Sequence, residues 1–204
     1  MQDPERDPRP LPLLGPLLDR LARGTGRQVV ALLVLFVAAT ILLLVTDFSP
    51  GRQLQEQAGM PLPDMLGGRL RQQLPTFLEA LGASGRRLFA IYLVLDTGYA
   101  VLFGALFGTA IASAIARYEK IPQNLRLIAL VPLTAAAFDI VENLGLLTLT
   151  LRYPTGPTPL HAVVSWFSAA KLALMNMTVL LGALALFGIA HHAMRAHEGE
   201  PERE

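Results

Sequence analysis

The residues best suited to chemistry in this 204-residue chain stand inside long apolar stretches, where charged side chains are rare. Asp96 lies in one such stretch, Asp139, Glu142 and Asn143 in a second, and Lys171 in a third. A carboxyl group can hold or pass a proton, ligate a cation or act as a general acid or base, and an ammonium group can balance its charge. Asp139, Glu142 and Asn143 are spaced i, i+3 and i+4, which places them on one side of a helix. Tyr92, Asp96 and Tyr99 share one side of another, and Lys171 shares its face with Met175 and Thr178, with Ser168 at the edge.

An ionised group at the centre of a membrane span costs roughly 2.5–3.5 kcal/mol, so the four ionisable groups together cost about 10–14 kcal/mol before pairing. Packing alone does not need them, and they must face one another, water or a ligand. At about 1.5 Å per residue, Asp96 falls about 12 Å from the outer end of its span, Glu142 about 14 Å, Lys171 about 16 Å and Asp139 about 18 Å. The spans alternate in direction, so this agreement in depth is not imposed by position along the chain. Three acids against one lysine leave an excess of negative charge that a low dielectric disfavours. The cluster is therefore expected to hold at least one proton or to bind a cation. Asp96, Tyr99, Asp139, Glu142, Asn143 and Lys171 are the candidate ligand- or ion-binding residues.

Three readings stay open for them. The cluster is a site for a small ligand, proton or cation in a transport-related role; or it is a static polar lock that sets helix register; or it belongs to a membrane enzyme in which Asp139 or Glu142 is the general acid/base on a lipid-like substrate. The sequence does not decide between enzyme and non-enzyme, nor does it indicate an oligomeric state. No cofactor or metal site is expected. There is no cysteine, His191, His192 and His197 do not share a helical face at metal-ligand spacing, and phosphate-loop, G-x-S-x-G and H-E-x-x-H motifs are absent. His161 is read as an ordinary boundary histidine and Trp166 as a packing or lipid-facing residue.

The elements that must position these groups follow from composition. The chain is 52% apolar and only 16% charged, against about a quarter charged in soluble domains, and its apolar residues come in blocks long enough to span a bilayer. The fold class is an all-α integral membrane four-helix bundle with amphipathic interfacial helices, and membrane lipids are its expected partners. Spans are expected at residues 29–46, 88–116, 127–151 and 160–190 within a transmembrane domain of residues 28–190. Residues 1–27 form a disordered and amphipathic cytoplasmic segment, with a surface helix around Leu14, Leu17, Leu18 and Leu21. Residues 191–204 form a frayed cytoplasmic tail. The first span is expected to remain as an anchor, since its leader is long and contains acids, its apolar run is longer than that of a signal peptide, and no small-residue cleavage site follows.

The connection 48–87 is expected outside. Leu66, Leu70, Leu74, Phe77, Leu78 and Leu81 give it an amphipathic helix, kinked or interrupted near Pro75, that rests on the surface or acts as a lid. Gly104, Gly108 and Ala112 make a small-residue seam for another helix of the bundle. Pro132 is expected to kink the third span, and Pro154, Gly156, Pro157 and Pro159 to form a tight external turn. With 17 Lys and Arg against 16 Asp and Glu there is no basic excess for nucleic acid. The 15 Arg against 2 Lys, with abundant Ala, Gly and Leu, fit a GC-rich bacterial genome and an inner-membrane location.

The stretch Asp139-Ile140-Val141-Glu142-Asn143, together with Asp96-Thr97-Gly98-Tyr99, resembles a group of uncharacterised bacterial four-span membrane proteins that carry Asp-x-x-Glu-Asn in the third span. The resemblance covers residues 29–190 and implies the four-span layout, with no activity to transfer. The layout of inward-facing acids is also similar to that of the sterol-isomerase and sigma-2-receptor superfamily, whose motifs this sequence lacks, so that likeness concerns architecture alone.

Orientation follows from Lys and Arg, which number 10 in the segments placed inside and 6 in those placed outside when the N-terminus is cytoplasmic. Both termini are therefore predicted to be cytoplasmic. Reporter fusions after Arg126 and after Glu204 should read cytoplasm, and a fusion at Gly59 should read the opposite side. An external reporter at Glu204 would reverse this topology.

Overall fold

Hydrocarbon offers the backbone no hydrogen-bond partner, so a chain that crosses it does so as helices whose amides are satisfied internally. In a computed structural model, which describes residues 14–24, 26–117, 123–154 and 158–198, four helical segments are long and apolar enough to span a bilayer. The chain is a multi-pass, all-α membrane protein. The first crossing is α2 (Gly26–Thr40), which continues through a π-helical turn at Ile41–Val45. The others are α5 (Gly82–Ala116), α6 (Val131–Leu151) and α7 (Pro159–Glu198). The remaining helices are α1 (Leu14–Ala22), α3 (Pro50–Ala58) and α4 (Leu70–Ala80). Expectations for residues 1–13, Lys120, residues 155–157 of the external turn and residues 199–204 lie outside the described residues.

Of the two forms expected for the connection 48–87, resting on the surface or covering the bundle, the structure has the second: a cap whose apolar side turns into the protein. α3 starts at Ser49, whose side chain accepts the Arg52 N–H, and ends at Gly59 with φ +66°, a left-handed C-cap that glycine adopts without steric penalty. Two 3-10 turns, Pro63–Met65 and Gly67–Arg69, lead into α4. Leu54, Leu62, Leu70, Leu74, Phe77 and Leu81 are completely buried in one core with Phe89, Tyr92, Leu146 and Val164 of the crossing helices. Gln57 Nε2 donates to the Leu81 carbonyl at 2.8 Å and an Arg86 nitrogen to the Leu78 carbonyl at 2.9 Å, which satisfies the last carbonyls of α4. Ser165 Oγ donates to the Gly68 carbonyl at 3.2 Å and ties the cap to α7.

The Pro132 expectation needs correction, and α4 continues through Pro75 without interruption. The missing N–H removes one bond, while the buried apolar face keeps the helix in place. Pro132 lies in the first turn of α6, after a 3-10 stretch at Gln123–Leu130, where its N–H would have no partner inside the helix. It starts the helix instead of kinking it. α5 begins at Gly82 rather than near Leu88, so Asp96 lies about 21 Å from the start of its helix. The helix α7 continues past residue 190 to Glu198, with the backbone of His191, His192 and His197 inside it.

On the opposite end of the bundle, Leu18, Leu21 and Ala22 of α1 pack against Ile111, Ala112 and Ala129, and Ser113 Oγ donates to the Gly24 carbonyl at 3.3 Å. Tight helix contacts set the spacing of the bundle. A Cβ on Gly104 would stand 2.9 Å from that of Ala136, and one on Gly145 would collide with Val164. The seam through Gly104 and Gly108 therefore joins α5 to α6 within the bundle.

Gly145→Leu should force α6 from α7 and destabilise the protein by about 1–3 kcal/mol, the usual range for overpacking. Thermal unfolding in detergent should show the loss. Gly98→Ala, where nothing lies within 4 Å of an added Cβ, should unfold at the wild-type temperature or slightly above it.

Candidate functional site

The close contacts Gly104–Ala136 and Gly145–Val164 lie on either side of the polar residues along α6. Without side-chain bulk at those glycines, α5, α6 and α7 approach closely enough for short acids to meet a lysine. Lys171 Nζ lies 2.6 Å from Glu142 Oε2 and 3.1 Å from Asp139 Oδ1. One ammonium thus bridges the two carboxylates that α6 presents at i and i+3. Asn143 Nδ2 donates to Asp96 Oδ2 at 3.0 Å and brings α5 into the same network. Asp96, Asp139, Glu142, Asn143 and Lys171 are all buried, with Glu142 at 0% exposure.

Tyr99, the sixth candidate, is turned to another task. Its hydroxyl lies 3.1 Å from Thr40 Oγ1 and its ring stacks on Phe36 with centroids 4.9 Å apart. It joins α2 to α5 and makes no hydrogen bond to the cluster. Tyr92, one turn from Asp96 on the other side, takes the place foreseen for Tyr99. Its hydroxyl donates to Asp64 Oδ2 at 3.1 Å.

Asp64 is the residue the sequence reading missed. It stands in the Pro63–Met65 turn of the cap, where a lone acid in a connection reads as a solvated charge. Here it lies within electrostatic range of Asp96, Asp139, Glu142 and Lys171. The one hint in the sequence is its setting, an acid flanked by Pro61, Leu62, Pro63, Met65 and Leu66. With Asp64, the cluster counts four carboxyl groups against a single ammonium, two of them in contact with it. His161, buried at the start of α7, accepts the Thr158 N–H through Nδ1 at 3.2 Å and serves that helix end.

The network leaves oxygens over. Asp64 Oδ1, Glu142 Oε1, Asn143 Oδ1 and Ser168 Oγ are buried without a hydrogen-bond partner among the described residues. Ser168 faces Glu142 without completing a well-directed bond. A buried polar atom left unpaired costs about 1–3 kcal/mol, so this set calls for protons, water or a small guest. Among the described residues no trio of His, Asp or Glu is arranged to hold a metal ion. The chemistry the arrangement can perform is uptake, release and sharing of protons among carboxyl groups, with Lys171 holding the negative charge in place.

Lys171→Met should leave two buried carboxyl groups facing each other without a cation and destabilise the protein by about 3–5 kcal/mol. Adding Asp139→Asn and Glu142→Gln to that variant should recover most of the loss, since the charge left unpaired is removed as well. Thermal unfolding of the single and triple variants in one detergent checks this. An unchanged melting temperature for Lys171→Met would mean that the ion pairs do not hold α6 to α7.

No protein family, no curated protein and no solved structure matches this chain, so the site is read from its own geometry.

Proposed function

We propose that the buried cluster is a proton-binding site of an integral membrane protein with a transport-related role. The observation that carries this reading is the imbalance of four carboxyl groups, Asp64, Asp96, Asp139 and Glu142, around the one ammonium of Lys171. Lys171 pairs with Asp139 and Glu142, while Asp96 and Asp64 have only the neutral donors Asn143 and Tyr92. With all four ionised the net charge is about −3, which a low dielectric does not sustain. Protons remove the charge and also supply donors for the orphaned oxygens of Glu142 and Asn143. Asp64 is half-buried on the cap whereas Glu142 is sealed. Protons therefore enter through Asp64 and Tyr92 and reach Asp96 and the Lys171 pair beyond. The excess of Lys and Arg on the inner segments supports cytoplasmic termini, with the cap facing out, and the arginine-rich composition supports a bacterial inner membrane.

The test is infrared spectroscopy of the protein in lipid across a pH series, with proton flux into liposomes measured alongside. Wild-type protein should show carboxyl C=O bands that change with pH, and it should dissipate an imposed pH gradient. Asp96→Asn keeps a hydrogen-bond partner for Asn143 and should fold, lose one band and lose flux. Lys171→Arg should fold and lose flux, because the larger, planar guanidinium repositions the two carboxylates that one ammonium bridges. pH-invariant bands and no flux from a stably folded protein would overturn the proposal. That result would leave the second reading, a static lock of helix register, which the two short Lys171 pairs favour.

A further inference from the structure

Away from the cluster, the outer ends of α5 and α6 enclose a groove that faces the lipid. Its upper part, about 410 Å³, is lined by Arg86, Arg87, Ala90, Ile91, Leu151 and Tyr153. It shares Ala90 and Ile91 with a lower part of about 340 Å³, lined also by Val94, Leu95 and Leu147, with no polar side chain. The groove is thus one track, charged at the end where α5 begins and wholly apolar further into the bundle. The spacing along α5 explains this. Arg87, Ile91 and Val94 lie on one stripe, and Arg86 and Ala90 on the next, so both guanidinium groups stand about one helical turn above an apolar floor. Ile91, Val94 and Leu95 are 57%, 61% and 48% exposed, as side chains are that meet hydrocarbon.

The two arginines are not equivalent. Arg86 is held by its bond to the Leu78 carbonyl at 2.9 Å and by the Tyr153 ring, whose centroid lies 4.3 Å from its guanidinium carbon. One of its five N–H donors is occupied. Arg87 is exposed. Among the described residues neither forms an ion pair with a carboxylate. Two adjacent cations, one of them fixed, lack an anion at the headgroup level of an acyl-sized groove. A snorkelling arginine has no need of the fixed geometry of Arg86 or of a track leading away beneath it.

We propose that this groove binds an anionic phospholipid, its phosphate held by Arg86 and Arg87 and one acyl chain lying along Ala90, Ile91, Val94 and Leu147. Arginine suits the phosphate because its planar fork presents paired donors. Ala83 and Ala90 keep the floor open, where larger side chains would fill it.

The experiment is native mass spectrometry of the purified full chain, offered equal amounts of phosphatidylglycerol and phosphatidylcholine with identical acyl chains. Phosphatidylglycerol should be retained in preference, as one molecule per chain. Arg87→Gln, an exposed position outside the proton cluster, should reduce that preference about fivefold, the change expected for one arginine at an anionic lipid surface. Ala90→Phe should displace the retained lipid while both arginines remain, and Arg87→Gln decides the matter should Ala90→Phe fail to fold. Equal retention of the two lipids, an unchanged preference in Arg87→Gln, or displacement by glycerol phosphate at equal concentration would overturn the proposal. A chain dimer that carries no lipid would overturn it too, by assigning the groove to a second copy.

Discussion

An ammonium ion taken out of water gives up solvation of about 20 kcal/mol in the idealised limit, and the protein must replace it with oppositely charged oxygens at contact distance. Lys171, at 3% exposure, receives them from Asp139 and Glu142 on the facing helix. That triad constrains the bundle. α6 must present its Asp and Glu toward α7, α7 must present Lys171 at the same depth, and the helices must come close enough for a salt bridge. The tight contact of Gly145 with Val164, one turn from Glu142 along α6, gives them that proximity.

α5 joins this pair with different chemistry. Its arginines, Arg86 and Arg87, stand at its start away from the cluster, and its acid, Asp96, is held by the Asn143 amide. A carboxyl group with a neutral donor can gain or lose a proton without breaking an ion pair, and the same holds for Asp64 with Tyr92. The cluster thus divides into an ion-paired part centred on Lys171 and a part, Asp96 and Asp64, held by neutral donors. The cap supplies the second of these acids. Its core of Leu54, Leu62, Leu70, Leu74 and Phe77 anchors the turn that carries Asp64. The cap is therefore part of the site as well as its cover.

Charge is handled differently at the rim. Arg86 and Arg87 lie near the start of α5, and Arg86 rests on Tyr153 while bonding the end of α4. The residue that closes the cap onto α5 thus also lines the groove between α5 and α6.

Much of this was determined by local features of the sequence. The four crossings follow from the length of apolar blocks, because transfer to hydrocarbon is nearly additive along a helix. The shared face of Asp139, Glu142 and Asn143 follows from the helical period, and their convergence with Asp96 and Lys171 from the cost of leaving ions in lipid. Tertiary structure alone decided the rest. Tyr92 and Tyr99 lie on one side of α5, yet one meets Asp64 of the cap and the other Thr40 of α2, because two helical turns separate them by about 10 Å along the axis. The cap was legible as an amphipathic helix, but whether its apolar face met lipid or protein depended on contacts across dozens of residues. Hydrophobicity does not distinguish the two. Asp64 was hidden for the same reason, since an acid in a connection is solvated by default, and only the fold of residues 50–81 over the bundle makes it a member of the site.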